Sequence, residues 1–231
     1  MLASSRLAPL FDEHLRIQRQ RSDAALAACN FDTLAIHAGS PHMIFLDDQP
    51  YLFKPNPHFK LWAPLEDAID CWLVYRPGEK PRLIFLQPAD YWHKPPTLPH
   101  GFWTHHFQIE VIREPGDARR HLTRLGRCAF IGEWQEQFKD WGFAESNPEA
   151  LLHRLHYKRA FKTEYELECM RHASRSAARG HIAAEEAFRA GKSEHEILLS
   201  YVHATGQAER ELPYSSIVAL NANAAVLHYQ H

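Results

Sequence analysis

Four short apolar runs interrupt an otherwise charged chain: TLAIHAG around Leu34, CWLVYRP around Leu73, RLIFLQP around Ile84 and CAFIGE around Phe130. Each is rich in β-branched or aromatic residues and is bounded by proline- or glycine-containing turns, the pattern of short buried strands. These runs are predicted to be buried strands of one sheet. Between the first two runs lies FLDDQPYLFKPNPHFKLWAP, too rich in proline for a regular element. Its length predicts an ordered excursion with a functional or dimer-contacting role.

Helical signals flank this sheet. From Ser5 to Cys29 the chain is charged, with apolar Leu7, Leu10, Leu15, Ala25 and Leu26, which predicts one or two helical pieces on a surface. After the Asn147-Pro148 turn, PEALLHRLHYKRAFK places Leu151, Leu152, Leu155 and Phe161 on one stripe. A domain boundary is predicted near Lys158 to Lys162. Thr163 and Glu166 then have the spacing of a capping box, opening a long helix whose members Leu167, Met170, Ala173, Ala177, Ala184 and Phe188 keep helical spacing up to Gly191. Ser193 and Glu196 repeat the box and open a further helix through Ile197, Leu198 and Tyr201. The last run, SSIVALNANAAVLHYQH, is predicted as strand, turn and strand, with an uncovered edge near Val226 and Leu227 that favours association.

Charge excludes one class of partner. Lys+Arg 26 against Asp+Glu 28 gives a net charge of -2, leaving no basic stripe to neutralise a nucleic-acid backbone. No apolar stretch approaches the ~18 residues of a membrane span, and the start lacks a secretory apolar run, so a cytoplasmic protein is expected. Cys29, Cys71, Cys128 and Cys169 lie far apart with no CxxC spacing, as expected of reduced thiols.

Motif spacing leaves the chemistry open. The 17 histidines invite a metal site, yet HExxH is absent. His195 and Glu196 lack a second histidine, and Glu196 is better used in the capping box. His181 and Glu185 share a helical face, where such pairs are usually solvated. Asp47 and Asp48 are adjacent acids whose simplest use is to accept from turn amides, a cation or acid-base role being the alternative. No GxSxG, GxxxxGK[ST] or GxGxxG occurs. Aromatics concentrate at Trp62, at Tyr91-Trp92-His93 and at Phe102-Trp103; core packing accounts for most, whereas Trp92 and His93 beside Pro95-Pro96 belong on an exposed loop suited to a pocket or interface.

Taken in order, FLDDQPYLFKPNPHFKLWAP, PADYWHK, HYKRAFKTEYELECMRHAS and PYSSIVALNANAAVLHYQH resemble the bacterial Xaa-Pro dipeptidase (prolidase) family of the PepQ type, within metallopeptidase family M24. The resemblance covers essentially the whole chain. It implies an α/β (α+β) fold: a mixed-sheet, creatinase/prolidase-like amino-terminal domain over 1–158 with dimer contacts, then the first part of a pita-bread catalytic domain over 159–231. It further implies a cytoplasmic homodimer acting on dipeptides with carboxy-terminal proline. In that family two divalent cations, usually manganese, share a hydroxide held by two Asp, one His and two Glu; such a pair lowers the pKa of water and polarises the scissile carbonyl.

Residue by residue, the resemblance implies that His228 in AVLHY sits beside the metals as a catalytic group that stabilises the developing oxyanion. Tyr214 in LPYSS would line the substrate pocket, and Trp92 in DYWHK would reach the neighbouring subunit's site. All five metal ligands of the family pattern fall after His231. These residues are therefore expected to bind no metal pair and to be inactive alone, as part of a truncated product or partial gene. Two alternatives stay open: a non-catalytic dimerisation or regulatory subunit (a pseudoenzyme), and a creatinase-like, metal-independent hydrolase.

Overall fold

The computed structural model describes residues 4–123, 125–208 and 211–229. They form two units, Met1–Tyr165 and Glu166–His231. The first opens with helix α1 (Ser4–Ala28), a single helix where sequence allowed two pieces. Its buried residues are Phe11, His14, Leu15, Gln18, Ser22, Ala25 and Leu26, a continuous three-to-four-residue repeat. His14, Gln18 and Ser22 interrupt the apolar pattern but not the face. His14 is held by its Nε2, which donates to the Leu61 carbonyl at 2.7 Å, and by its Nδ1, 2.8 Å from the Thr163 hydroxyl. A carbonyl only accepts, so Nε2 carries a proton.

Six strands follow: β1 (Thr33–His37), β2 (Trp72–Tyr75), β3 (Arg82–Leu86), β4 (Gln108–Ile112), β5 (Cys128–Ile131) and β6 (Glu145–Ser146). The four apolar runs are β1, β2, β3 and β5. The sheet order is β4-β3-β2-β1-β5-β6. β1 pairs antiparallel with β2 and parallel with β5, and β3 pairs parallel with β4, so the sheet is mixed. The two strands that sequence did not single out are its edges: β4 interleaves Gln108 and Glu110, and β6 is two exposed residues, both ways of blunting an edge. Within the long excursion, helix α2 (Pro57–Lys60) is capped by Asn56, which accepts from the His58 amide at 2.9 Å.

Helix α3 (Glu149–Arg159) packs with α1. On the other side of the sheet, Trp72 is 1% exposed and sits among His37, Phe138, Trp141 and Phe143 with centroid separations of 4.5 to 5.8 Å. Trp62 and Trp103 are also core, as expected, and Cys71 and Cys128 are buried free thiols whose burial pushes each up to about 12.

In the second unit, helix α4 (Glu164–Arg189) and helix α5 (Glu194–Thr205) cross at Gly180, where an added Cβ would lie 2.6 Å from the Tyr201 ring and 2.7 Å from the Thr205 methyl. Gly191, at φ +72, closes α4: the Lys192 amide reaches the Ala187 carbonyl at 3.1 Å and the Gly191 amide the Phe188 carbonyl at 3.0 Å. The expected Ser193/Glu196 box is formed. The expected apolar stripe on α4 is not its buried side, however: Met170 and Phe188 stand 51% and 59% exposed, while Gly180 and Ala187 are buried.

The expected strand-turn-strand at the end of the chain is corrected. Residues 211–229 contain a 3-10 turn, Asn221–Ala225, and no strand among the described residues, while Gln230 and His231 lie outside them. Local partners meet the backbone there: the Asn223 amide donates to Leu220 and the Val226 amide to Asn223, both at 3.0 Å. The uncovered strand edge at Val226 and Leu227 is accordingly absent, although both side chains are exposed.

Candidate functional site

Of the three residues singled out, Trp92 falls in the first unit and Tyr214 and His228 in the second. Trp92 is 83% exposed and meets Tyr91 edge-on at 5.0 Å. Its loop is built rather than loose. The Asp90 carboxylate accepts from the Trp92 and His93 amides, each at 2.7 Å, and lies 3.0 Å from the His93 imidazole. These bonds, the His93 amide foremost, hold the Asp90 carboxyl below the usual carboxylate range. At the base, Gln87 donates to the Pro96 carbonyl at 2.9 Å, while Arg113 donates to the Gln87 carbonyl at 3.0 Å. Two large aromatics are thus presented outward on a hydrogen-bonded turn.

Tyr214 is 77% exposed, two residues after buried Leu212, and His228 is exposed. The segment that carries His228 is tethered by Glu194, in the first turn of α5. Its carboxylate accepts from the Leu220 amide at 2.6 Å, the Asn223 side chain at 3.1 Å and the Tyr229 hydroxyl at 2.9 Å. That last bond raises the Tyr229 phenol above its ordinary value. Glu194 was not picked out from sequence, because a carboxylate in a first helical turn already has a use near the helix amides. Its neighbour Glu196 takes that use: it accepts from the Ser193 amide at 2.9 Å, which brings the Glu196 carboxyl down to about 2.

The remaining candidates resolve into structural roles. Asp47 accepts from the Gln49 amide at 3.0 Å, the turn role expected, and Asp48 is exposed beside it. Glu185 is engaged by Arg189 at 2.7 Å, and His181 packs edge-on to Tyr201, so the two do not form a ligand pair. A cavity of about 530 Å³, lined by Gly39, His42, Phe53, Asn56, His58 and Glu133 among others, opens where β1 and β5 end.

Among the described residues the single cluster of three or more metal-ligating side chains is Asp12, His105 and His106, in the first unit. His106 lies 2.7 Å from the Asp12 carboxylate, and burial is the main reason its imidazole is held below the ordinary range. Residues 166–229, where His228 and Tyr214 stand, hold no such cluster among those described.

Comparison with known proteins places both units. Residues 9–157 match the family described as Xaa-Pro dipeptidase, N-terminal domain, and residues 168–231 match metallopeptidase family M24. The chain is 48% identical over 223 residues to an Xaa-Pro dipeptidase of Aeromonas hydrophila, covering 96% of this chain and 51% of that protein. It is 45% identical to an Xaa-Pro dipeptidase of Pseudoalteromonas haloplanktis, over 98% of this chain and 52% of that protein. The chain therefore spans about half the length of the curated relatives it matches. Its fold is similar to that of Pseudomonas aeruginosa aminopeptidase PepP, with a TM-score of 0.67 at 20% identity, covering 99% of this chain and 55% of that one. A prolidase from Pyrococcus furiosus matches with a TM-score of 0.55 at 13% identity, over 81% of this chain and 52% of that one.

Proposed function

We propose, from the premise that this chain belongs to the Xaa-Pro dipeptidase family, that the whole protein hydrolyses dipeptides with carboxy-terminal proline in the cytoplasm. The supporting observation is that two family matches follow one another in family order, over 9–157 and 168–231, with 48% identity to a relative across 96% of the chain. Hydrolysis in this class uses divalent cations, for which manganese is the proposed choice, to activate water and polarise the carbonyl. The present residues supply other parts of the site. His228 donates from its imidazole to the oxygen that gains charge, and Tyr214 flanks the substrate. Trp92, on its Asp90-pinned turn, reaches the neighbouring subunit of a homodimer. In this reading residues 1–158 provide the dimer-forming domain and 159–231 the entry to the catalytic one. The 231 residues alone are expected to be inactive.

A chimera tests the assignment: residues 1–231 joined to the matching second half of the Aeromonas hydrophila protein. It should cleave a dipeptide with carboxy-terminal proline in the presence of manganese, and cleave the corresponding glycine dipeptide far more slowly. A folded, metal-loaded chimera that ignores the proline and cleaves the glycine peptide equally well would overturn the substrate assignment.

A further inference from the structure

We propose that Asp12, His105 and His106 form a binding site for one divalent transition-metal ion of the zinc type, separate from the catalytic centre of the family. The site does not depend on the function proposed above. Its ligands come from two elements: Asp12 from α1, and the two histidines from the 3-10 turn Thr104–His106. One oxygen or nitrogen from each of the three lies within 4.8 Å of the others. The Asp12 Oδ1 is 2.7 Å from the His106 Nε2 and 3.9 Å from the His105 Nε2, and the two imidazoles are 3.9 Å apart between centroids.

Zinc bonds of about 2.0–2.2 Å in a tetrahedron put neighbouring ligand atoms about 3.3 Å apart. The Asp12–His106 and Asp12–His105 separations, 2.7 and 3.9 Å, lie on either side of that value, and rotation of His105 and Asp12 is the adjustment the site requires. The rotation is available where it is needed, because the side chains of His105 and Asp12 are 64% and 54% exposed. His106 is the fixed member, 17% exposed and packed edge-on against buried Phe11 at 5.7 Å. Three protein ligands leave a position for water, the composition of an open rather than a closed zinc site.

Two imidazoles and one carboxylate select among metals. Imidazole-rich sites favour zinc, copper, nickel and cobalt, and affinity for manganese is lowest in the divalent series. Manganese added for catalysis would therefore leave this site largely empty. Arg16 and Arg19 line the same hollow with Asp12, Asp23 and His106. Arg16 is neutralised by Glu13 through bonds of 2.6 and 2.7 Å, which leaves Arg19 as the cation opposing an incoming ion. Affinity is set accordingly below that of buried structural zinc.

Calorimetric titration of the 231-residue chain with zinc alone, paired with visible absorption after cobalt addition, tests the site. One saturable equivalent is expected, with manganese failing to displace it. His105→Ala and Asp12→Asn, both at exposed positions, should each weaken zinc by at least about tenfold, with unchanged thermal melting in the absence of metal. His42→Ala removes an equally exposed imidazole that pairs with Glu133 at 2.8 Å and should leave the equivalent intact. Retention of full affinity in both His105→Ala and Asp12→Asn would overturn the proposal, as would the absence of saturable uptake in the parent.

Discussion

His58 is a histidine whose titration is set by its burial in the fold. It is 7% exposed, stacked on His156 at 4.9 Å, and burial, with Arg159 and His156 beside it, lowers its pKa to about 4. The unfolded chain holds this proton below about pH 6.5, whereas the folded chain refuses it until about pH 4. Stability from this residue is thus fully present above about pH 6.5 and is lost as pH falls toward 4, by on the order of 2–4 kcal/mol. Urea unfolding of the parent and of His58→Phe across this range checks it: the parent should lose that increment relative to the variant, and parallel profiles would contradict it. Nothing in the sequence marks His58 among 17 histidines. Its state depends on burial, and burial is a property of the fold. The same holds for Asp12 and His106, which are separated by 94 positions and meet only through α1 and the sheet-side turn.

At the scale of elements, the crossing of α4 and α5 at Gly180 sets two effects against each other. Alanine in a helix is favoured over glycine by roughly 1 kcal/mol, but here its methyl would fall 2.6 Å from Tyr201 and 2.7 Å from Thr205. Overpacking costs about 1–3 kcal/mol, so Gly180→Ala should lower the stability of the second unit, and a thermal melt with no loss would show that the helices separate freely. Strands β1, β2, β3 and β5 were legible because burial on both faces demands apolar residues at every position. Edges β4 and β6 were not, since an edge is safe when it is polar or short. The stripe from Leu167 to Phe188 was legible as helical spacing, yet spacing names a face and not what covers it. The final run read as strands from its β-branched residues. The carboxylate of Glu194, a local helix-start residue, instead captures Leu220, Asn223 and Tyr229.

At the scale of the molecule, the two units correspond to two family matches, and the chain spans about half of its curated relatives. The motifs that carry family likeness, PADYWHK and LPYSS among them, were legible before any fold was known. Of their side chains, Tyr91, Trp92 and Tyr214 are exposed, while Leu212 is buried. The described residues place no cluster of metal ligands near His228 and Tyr214 in the second unit. The most direct measurement is manganese-dependent hydrolysis of a dipeptide with carboxy-terminal proline, run on the 231-residue chain at verified intact mass and on the chimera with and without His228→Ala. The chain alone should be silent, the chimera active, and the substitution should lower kcat by about 10²–10³. Hydrolysis by the 231 residues alone, or a chimera indifferent to His228→Ala, would contradict the assignment.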